Sequence, residues 1–223
     1  MQRGQPTKLG TALLIIVVVA VVVLGISWVG QLLFGGESNP KEVSAGQKLL
    51  NEPNDQMAVR MSVRGPVNAS ENHYSIVMTI SVGQRRITTY RGYDGSVIRD
   101  ERLGNTVIAF HDFLAALNRA GFMKETPNDA PNQGICATGQ LIFFEVFEYV
   151  TDEQGNVTEN LATKLWTTTC DKLNGNFAGL FTNVVSLFKA QIPGSQAIID
   201  DAKKAVQNSV YRDNYDTGLG SIR

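Results

Sequence analysis

Three patterns of apolar residues divide this chain: an unbroken run near the start, alternation of period two through the middle, and stripes at helical spacing around residue 110 and again after residue 177. From Thr11 to Phe34 the run TALLIIVVVAVVVLGISWVGQLLF carries no charge. As a helix it extends roughly 36 Å, enough to cover a bilayer core of about 30 Å. Its Val and Ile are mediocre helix formers in water, but in lipid only a helix satisfies the backbone of a single segment. Trp28 falls toward the far end, where interfacial aromatics collect, and Gly35-Gly36-Glu37-Ser38-Asn39-Pro40 stops the helix.

Charge sets the orientation. Arg3, Lys8 and the amino terminus precede the run with no acidic residue among them, which places that end in the cytoplasm. The reading is a cytoplasmic basic segment at 1–10, a transmembrane signal anchor at 11–34, a stalk at 35–55, an extracytoplasmic domain at 56–207 and a disordered tail at 208–223. A cleaved signal peptide has a shorter apolar core and a small-residue cleavage site, and neither feature is present.

Within the exported part, Met57, Val59, Met61 and Val63 alternate with Ala58, Arg60, Ser62 and Arg64, the mark of a strand with one buried face. Tyr74 to Val82 repeats the pattern, Gly83-Gln84 turns, and Arg86 to Tyr90 returns as a third strand. Gly92-Tyr93-Asp94-Gly95 is turn chemistry. Asn105 or Thr106 caps a helix whose stripe is Phe110, Phe113, Leu114 and Leu117, with Gly121 as its C′ residue. Leu141 to Val150 and Leu161 to Thr169 form a hairpin about Glu153, and LIFFEVFEYV belongs inside the sheet. Phe177, Leu180, Phe181, Val184, Leu187 and Phe188 stripe a second helix. Ser195 caps a third, with Ile198, Ile199, Ala202 and Val206 inward. Hairpin-linked strands with helices on one face define an α+β fold: a transmembrane helix followed by an antiparallel sheet of about five strands with two to three packed helices.

The two cysteines, Cys136 and Cys170, flank that hairpin, and in an exported chain such a pair reads as a disulfide. No C-x-x-C spacing suggests redox chemistry.

Composition narrows function by exclusion. Beyond the apolar run stand 18 of the 20 basic residues against all 21 acidic ones, and a mildly acidic domain lacks the basic face that nucleic acid requires. His73 and His111 have no Cys or carboxylate at ligand spacing, so neither metal nor cofactor is expected; both read as partly exposed surface side chains. Glu145 and Glu148 point to opposite faces of one strand and cannot form a glycosidase pair; they read as solvated. No nucleotide loop or nucleophile elbow occurs. The cluster Tyr90, Arg91, Tyr93 and Asp94, flanked by glycines, is the candidate binding surface, because exposed Tyr and Arg are favoured at hot spots.

Several segments carry a resemblance: Arg64-Gly65-Pro66, Gly92-Tyr93-Asp94-Gly95, FLAALNRAGF at 113–122, GICATG at 134–139 and WTTTC at 166–170. Together they resemble single-pass exported proteins of Saccharibacteria-type candidate-phylum bacteria, a group with no assigned activity. The resemblance implies an envelope protein and carries over no catalytic residue. A second resemblance, to pilins, rests on the basic leader Lys8-Leu9-Gly10, the apolar helix and the late disulfide. Against it, Ile15 stands where a pilin has Glu, and Gly35-Gly36 and Pro40 interrupt the helix. The expected function is therefore a non-enzymatic, membrane-anchored envelope module that binds a protein or an envelope polymer. The alternatives are a pilin-like or secretion-system subunit and an enzyme whose site is scattered along the chain.

Overall fold

The computed structural model describes residues 43–127, 136–170 and 175–216, with side chains described as far as Gln207. The apolar run at 11–34 lies outside the described residues. Among the described residues no helix is long and apolar enough to cross a membrane.

A compact unit begins at Ser44. Its elements are α1 (Ala45–Asn51), β1 (Met57–Arg64), a 3-10 turn (Ser70–Asn72), β2 (Tyr74–Ser81), β3 (Gln84–Arg91), β4 (Ser96–Gly104), α2 (Val107–Arg119), β5 (Leu141–Thr151), β6 (Val157–Thr168), α3 (Phe181–Ala190) and α4 (Ser195–Asp216). The strands form one antiparallel sheet in the order β4-β3-β2-β1-β5-β6. The fold is α+β, with six strands and four helices among the described residues.

Period two decides which residues meet the helices. On β1 the core set is Met57, Val59, Met61 and Val63; on β2 it is Tyr74, Ile76, Met78 and Ile80; on β5 it is Ile142, Phe144 and Val146. These pack in one cluster with Phe110, Phe113, Leu114 and Leu117 of α2, Val184 and Phe188 of α3, and Ile198, Ile199 and Val206 of α4. Phe144 is fully buried, with the rings of Phe177 and Phe122 at 4.5 and 5.7 Å. Strand β5 is interior, between β1 and β6, in agreement with its apolar sequence.

Local signals explain the ends of the elements. Thr106 caps α2 by accepting the Ala109 N–H at 3.2 Å. Gly121, at φ 73°, closes the same helix: its own N–H bonds to Asn118 and that of Phe122 to Leu117. This paired closure needs a left-handed residue. The β5–β6 turn is held by Asp152, whose Oδ1 accepts the N–H groups of Gln154 and Asn156 at 2.9 and 2.8 Å.

Five expectations change. Strand β4 adds a sixth strand where no strand was expected. Its sequence SVIRDERLG carries the charged run Arg99 to Arg102 at a sheet edge, where charge guards against further pairing. Residues 45–51, read as stalk, form α1, which packs on the sheet through buried Leu50 and Gly46; the Gly46 N–H bonds to Thr163 Oγ1 at 2.8 Å. Helix α4 continues to Asp216, past the proposed start of the tail at 208. Ser195 is the first residue of α4 rather than its cap, and its hydroxyl donates to the Lys189 carbonyl at 2.9 Å. Phe177 and Leu180 precede α3, and Leu180 is exposed.

Cys136 and Cys170 are disulfide-bonded, with Cα atoms 5.7 Å apart. The bridge sits beyond the open end of the β5–β6 hairpin. A side chain at Gly139 would meet Cys136 Sγ at 2.7 Å and Cys170 Sγ at 3.0 Å, so the chain passes the bridge closely only as glycine.

Candidate functional site

The sheet face turned away from the helices is unlike an ordinary solvated face. The alternation that buries Met61 projects Ala58, Arg60, Ser62 and Arg64 from β1, Ser75, Val77 and Thr79 from β2, and Arg86, Thr88 and Tyr90 from β3. Register adds Phe143, Glu145 and Phe147 from β5 and Lys164 from β6. Phe143 and Phe147 are only 3% and 1% exposed, yet neither belongs to the core cluster that the described helices share with the sheet. Cationic side chains cover them instead. The Arg60 guanidinium lies 4.3 Å from the Phe147 ring centre, while Lys164 Nζ and the Arg64 guanidinium lie 4.4 and 5.1 Å from that of Phe143. The charged groups themselves lie over the ring faces, the arrangement of a cation–π contact.

Glu145 stands between two cations because the register puts it opposite both: Arg60 on β1 and Lys164 on β6. Its oxygens are 3.5 Å from Arg60 Nη1 and 2.8 Å from Lys164 Nζ. Glu145 is thus buried and paired, and the expectation of a solvated carboxylate fails because flanking strands cover both of its sides. Arg60 also pairs with Glu159 and donates to Thr79 Oγ1 at 3.3 Å. On the β3–β4 side, Asp100 accepts two bonds from Arg86 at 2.6 and 3.1 Å, one from Thr88 at 2.8 Å and one from Arg102 at 2.9 Å. The Arg86 hydrogen bond, above all, holds the Asp100 carboxyl below the usual carboxylate range. Partial desolvation opposes it, and Thr88 and Arg102 add to it.

The face forms a shallow cleft of about 410 Å³ in which Arg60, Arg64, Arg86 and Lys164 outnumber the single carboxylate Glu145. A second cavity of about 420 Å³ adjoins it toward the disulfide end, and Arg64 lines both. Its walls include His73, Ser75 and Tyr93. His73 is buried, contrary to the expectation of surface exposure: its Nδ1–H donates to the Pro66 carbonyl at 3.1 Å and its ring stacks on Tyr93 at 4.1 Å. The Tyr93 hydroxyl donates to the Asn68 carbonyl at 2.9 Å and accepts the Asn68 N–H at 3.2 Å. One ring face is spent on His73, yet the residue remains 56% exposed.

The four residues of the expected binding surface are divided. Tyr90 lines the sheet cleft and Tyr93 the second cavity. Arg91 is exposed at the end of β3, where alternation turns it away from Tyr90. Asp94 shapes the turn by accepting the Ser96 hydroxyl at 3.0 Å. Sequence reasoning passed over Arg60, Arg64, Arg86, Phe143 and Lys164. Their signal was the polar half of the β1 alternation, together with a β5 strand apolar on both faces.

Among the described residues no group of three or more His, Cys, Asp or Glu is arranged to hold a metal ion. No protein-family model matches the chain, and no curated protein matches it.

Proposed function

We propose that this chain is a membrane-tethered, extracytoplasmic binding module of the bacterial cell envelope, anchored by residues 11–34 and acting by recognition rather than by chemistry. The observation that carries the reading is the sheet face, where Arg60, Arg64 and Lys164 are held over the buried rings of Phe143 and Phe147. Surface of this kind, rich in Arg and aromatic area and fixed by packing, suits recognition. Both oxygens of the one carboxylate in the cleft are already engaged by Arg60 and Lys164. Glu145 therefore orders the cations. The anchor reading is supported by the uncharged 24-residue run and the basic residues before it.

The test is sedimentation of the full chain, in neutral detergent, with insoluble envelope material isolated from the producing cells. The wild-type chain is expected in the pellet. The Arg60→Ala/Arg64→Ala/Lys164→Ala variant is expected in the supernatant. Equal pelleting of the two would remove the face from the function. Protease added to osmotically opened cells is expected to degrade the domain from outside the inner membrane, and full protection would reverse the orientation.

A further inference from the structure

The two cavities share a wall, and the chemistry along them alternates. Arg60 and Arg64 are four residues apart on one face of β1, about 13 Å along the strand. Ser62 stands between them on β1, and on β2 the hydroxyls of Thr79 and Ser75 lie opposite Arg60 and Arg64. Beyond Ser75 comes the exposed ring of Tyr93, backed by His73. The track therefore presents a cation beside a hydroxyl, the Ser62 hydroxyl, a second cation beside a hydroxyl, and then an aromatic platform. A compact metabolite would use one cavity. An extended ligand that repeats an anionic group and several hydroxyls, with ring faces able to lie on an aromatic side chain, matches both cavities at once.

Building on the proposed binding role, we infer that the sheet cleft and the adjoining cavity form one track for a linear acidic polysaccharide, whose carboxylates meet Arg60, Arg64 and Lys164 and one of whose sugar rings lies on Tyr93. Charge supports the occupant: the four cations lining the cleft outnumber the three carboxylates Glu145, Glu159 and Asp100 that pair with them, in an exported segment with more acidic than basic residues. Arg64 is the junction. It is exposed and its guanidinium is oriented by the Phe143 ring, so it can present a planar fork to a carboxylate without first giving up a neighbouring acid. A polymer carrying charge alone would leave the Tyr93 platform unused.

The experiment is binding of the full chain, held in phosphatidylcholine nanodiscs, to polygalacturonate, with neutral dextran and inorganic polyphosphate as comparators. Polygalacturonate is expected to bind saturably and to weaken when salt rises from about 0.05 to about 0.5 M, as screened contacts do. Arg64→Ala is expected to weaken binding about tenfold or more, the effect of one charge-assisted hydrogen bond. Tyr93→Ala should weaken it also, and Tyr93→Phe, which keeps the ring, should retain it. Arg99→Ala removes one charge from the β4 edge, off the track, and should leave binding within about twofold of wild type, as for a screened surface charge. The inference is overturned if polygalacturonate does not bind, if Arg64→Ala and Arg99→Ala behave alike, or if polyphosphate competes equally and Tyr93→Ala has no effect. Envelope material that pellets the chain through the same face while polygalacturonate fails would retain the binding role and remove the acidic polysaccharide.

Discussion

Removing the Cys136–Cys170 bridge is expected to destabilise the domain more than any single surface change. The cysteines are 34 residues apart, and the loop they close contains the whole β5–β6 hairpin. A closed loop of that size removes about 12.6 cal/mol/K of chain entropy from the unfolded state, or about 3.8 kcal/mol at 25 °C. The loss in the Cys136→Ala/Cys170→Ala double variant should approach that figure. With a urea slope of about 2 kcal/mol/M, the midpoint falls by about 2 M. The slope itself should rise, because the unbridged unfolded chain opens further and exposes more surface. Trp166 on β6 is 5% exposed, so its fluorescence in a Trp28→Phe background reports the transition. A midpoint shift below about 0.5 M with an unchanged slope would refute the reasoning. It would mean that the unfolded hairpin is already restricted and that the bridge adds little.

Three further outcomes are expected. Phe144→Ala deletes a fully buried ring packed on Phe122 and Phe177 and should cost about 3–5 kcal/mol in the same urea titration. Gly46→Ala adds a methyl group 2.7 Å from Thr163 Cβ and 2.9 Å from Met123 Sδ. The helix-propensity gain of about 1 kcal/mol is outweighed by overpacking of about 1–3 kcal/mol, so this variant should be less stable, as its urea midpoint would show. Asp100 has a folded-state pKa below its unfolded value, so its contribution is present above the unfolded value of about 3.9 and is lost as pH falls below it. Asp100→Asn should therefore differ most from wild type near neutrality, and the gap between their urea midpoints should close as pH drops from about 4 toward 2.

How much of this was legible in the sequence depended on whether a residue's role was local. The β1 and β2 alternations, the α2 stripe and the Gly121 closure follow from near neighbours in the chain, and each appears where period or turn chemistry puts it. The bridge across the hairpin was legible for the same reason, because the turn at Asp152–Asn156 sets the fold-back. Strand β4 was not legible: the charged run Arg99 to Arg102 separates Ile98 from Leu103, which pack against the core, so no run of alternating apolar residues announces it. The role of Glu145 was hidden because it depends on register. Only the pairing of β5 with β1 on one side and β6 on the other brings Arg60 and Lys164 to it. Phe143 and Phe147 did leave a trace, as an apolar run without alternation, but their cover by cationic side chains from two other strands depends on register. The Tyr90–Asp94 cluster was read as one surface because it is contiguous in sequence. Alternation along β3 and the turn after it send its side chains to different places, and its two tyrosines reach neighbouring cavities joined by Arg64.

Backbone amide chemical shifts of the full chain in nanodiscs, recorded as solubilised envelope glycan is added, test the central claim most directly. The account predicts shifts concentrated at 60–64, 143–145 and 164, with the outer faces of α2 and α3 unaffected. Shifts confined to the helical side, or none on the sheet while the glycan is bound, would contradict it.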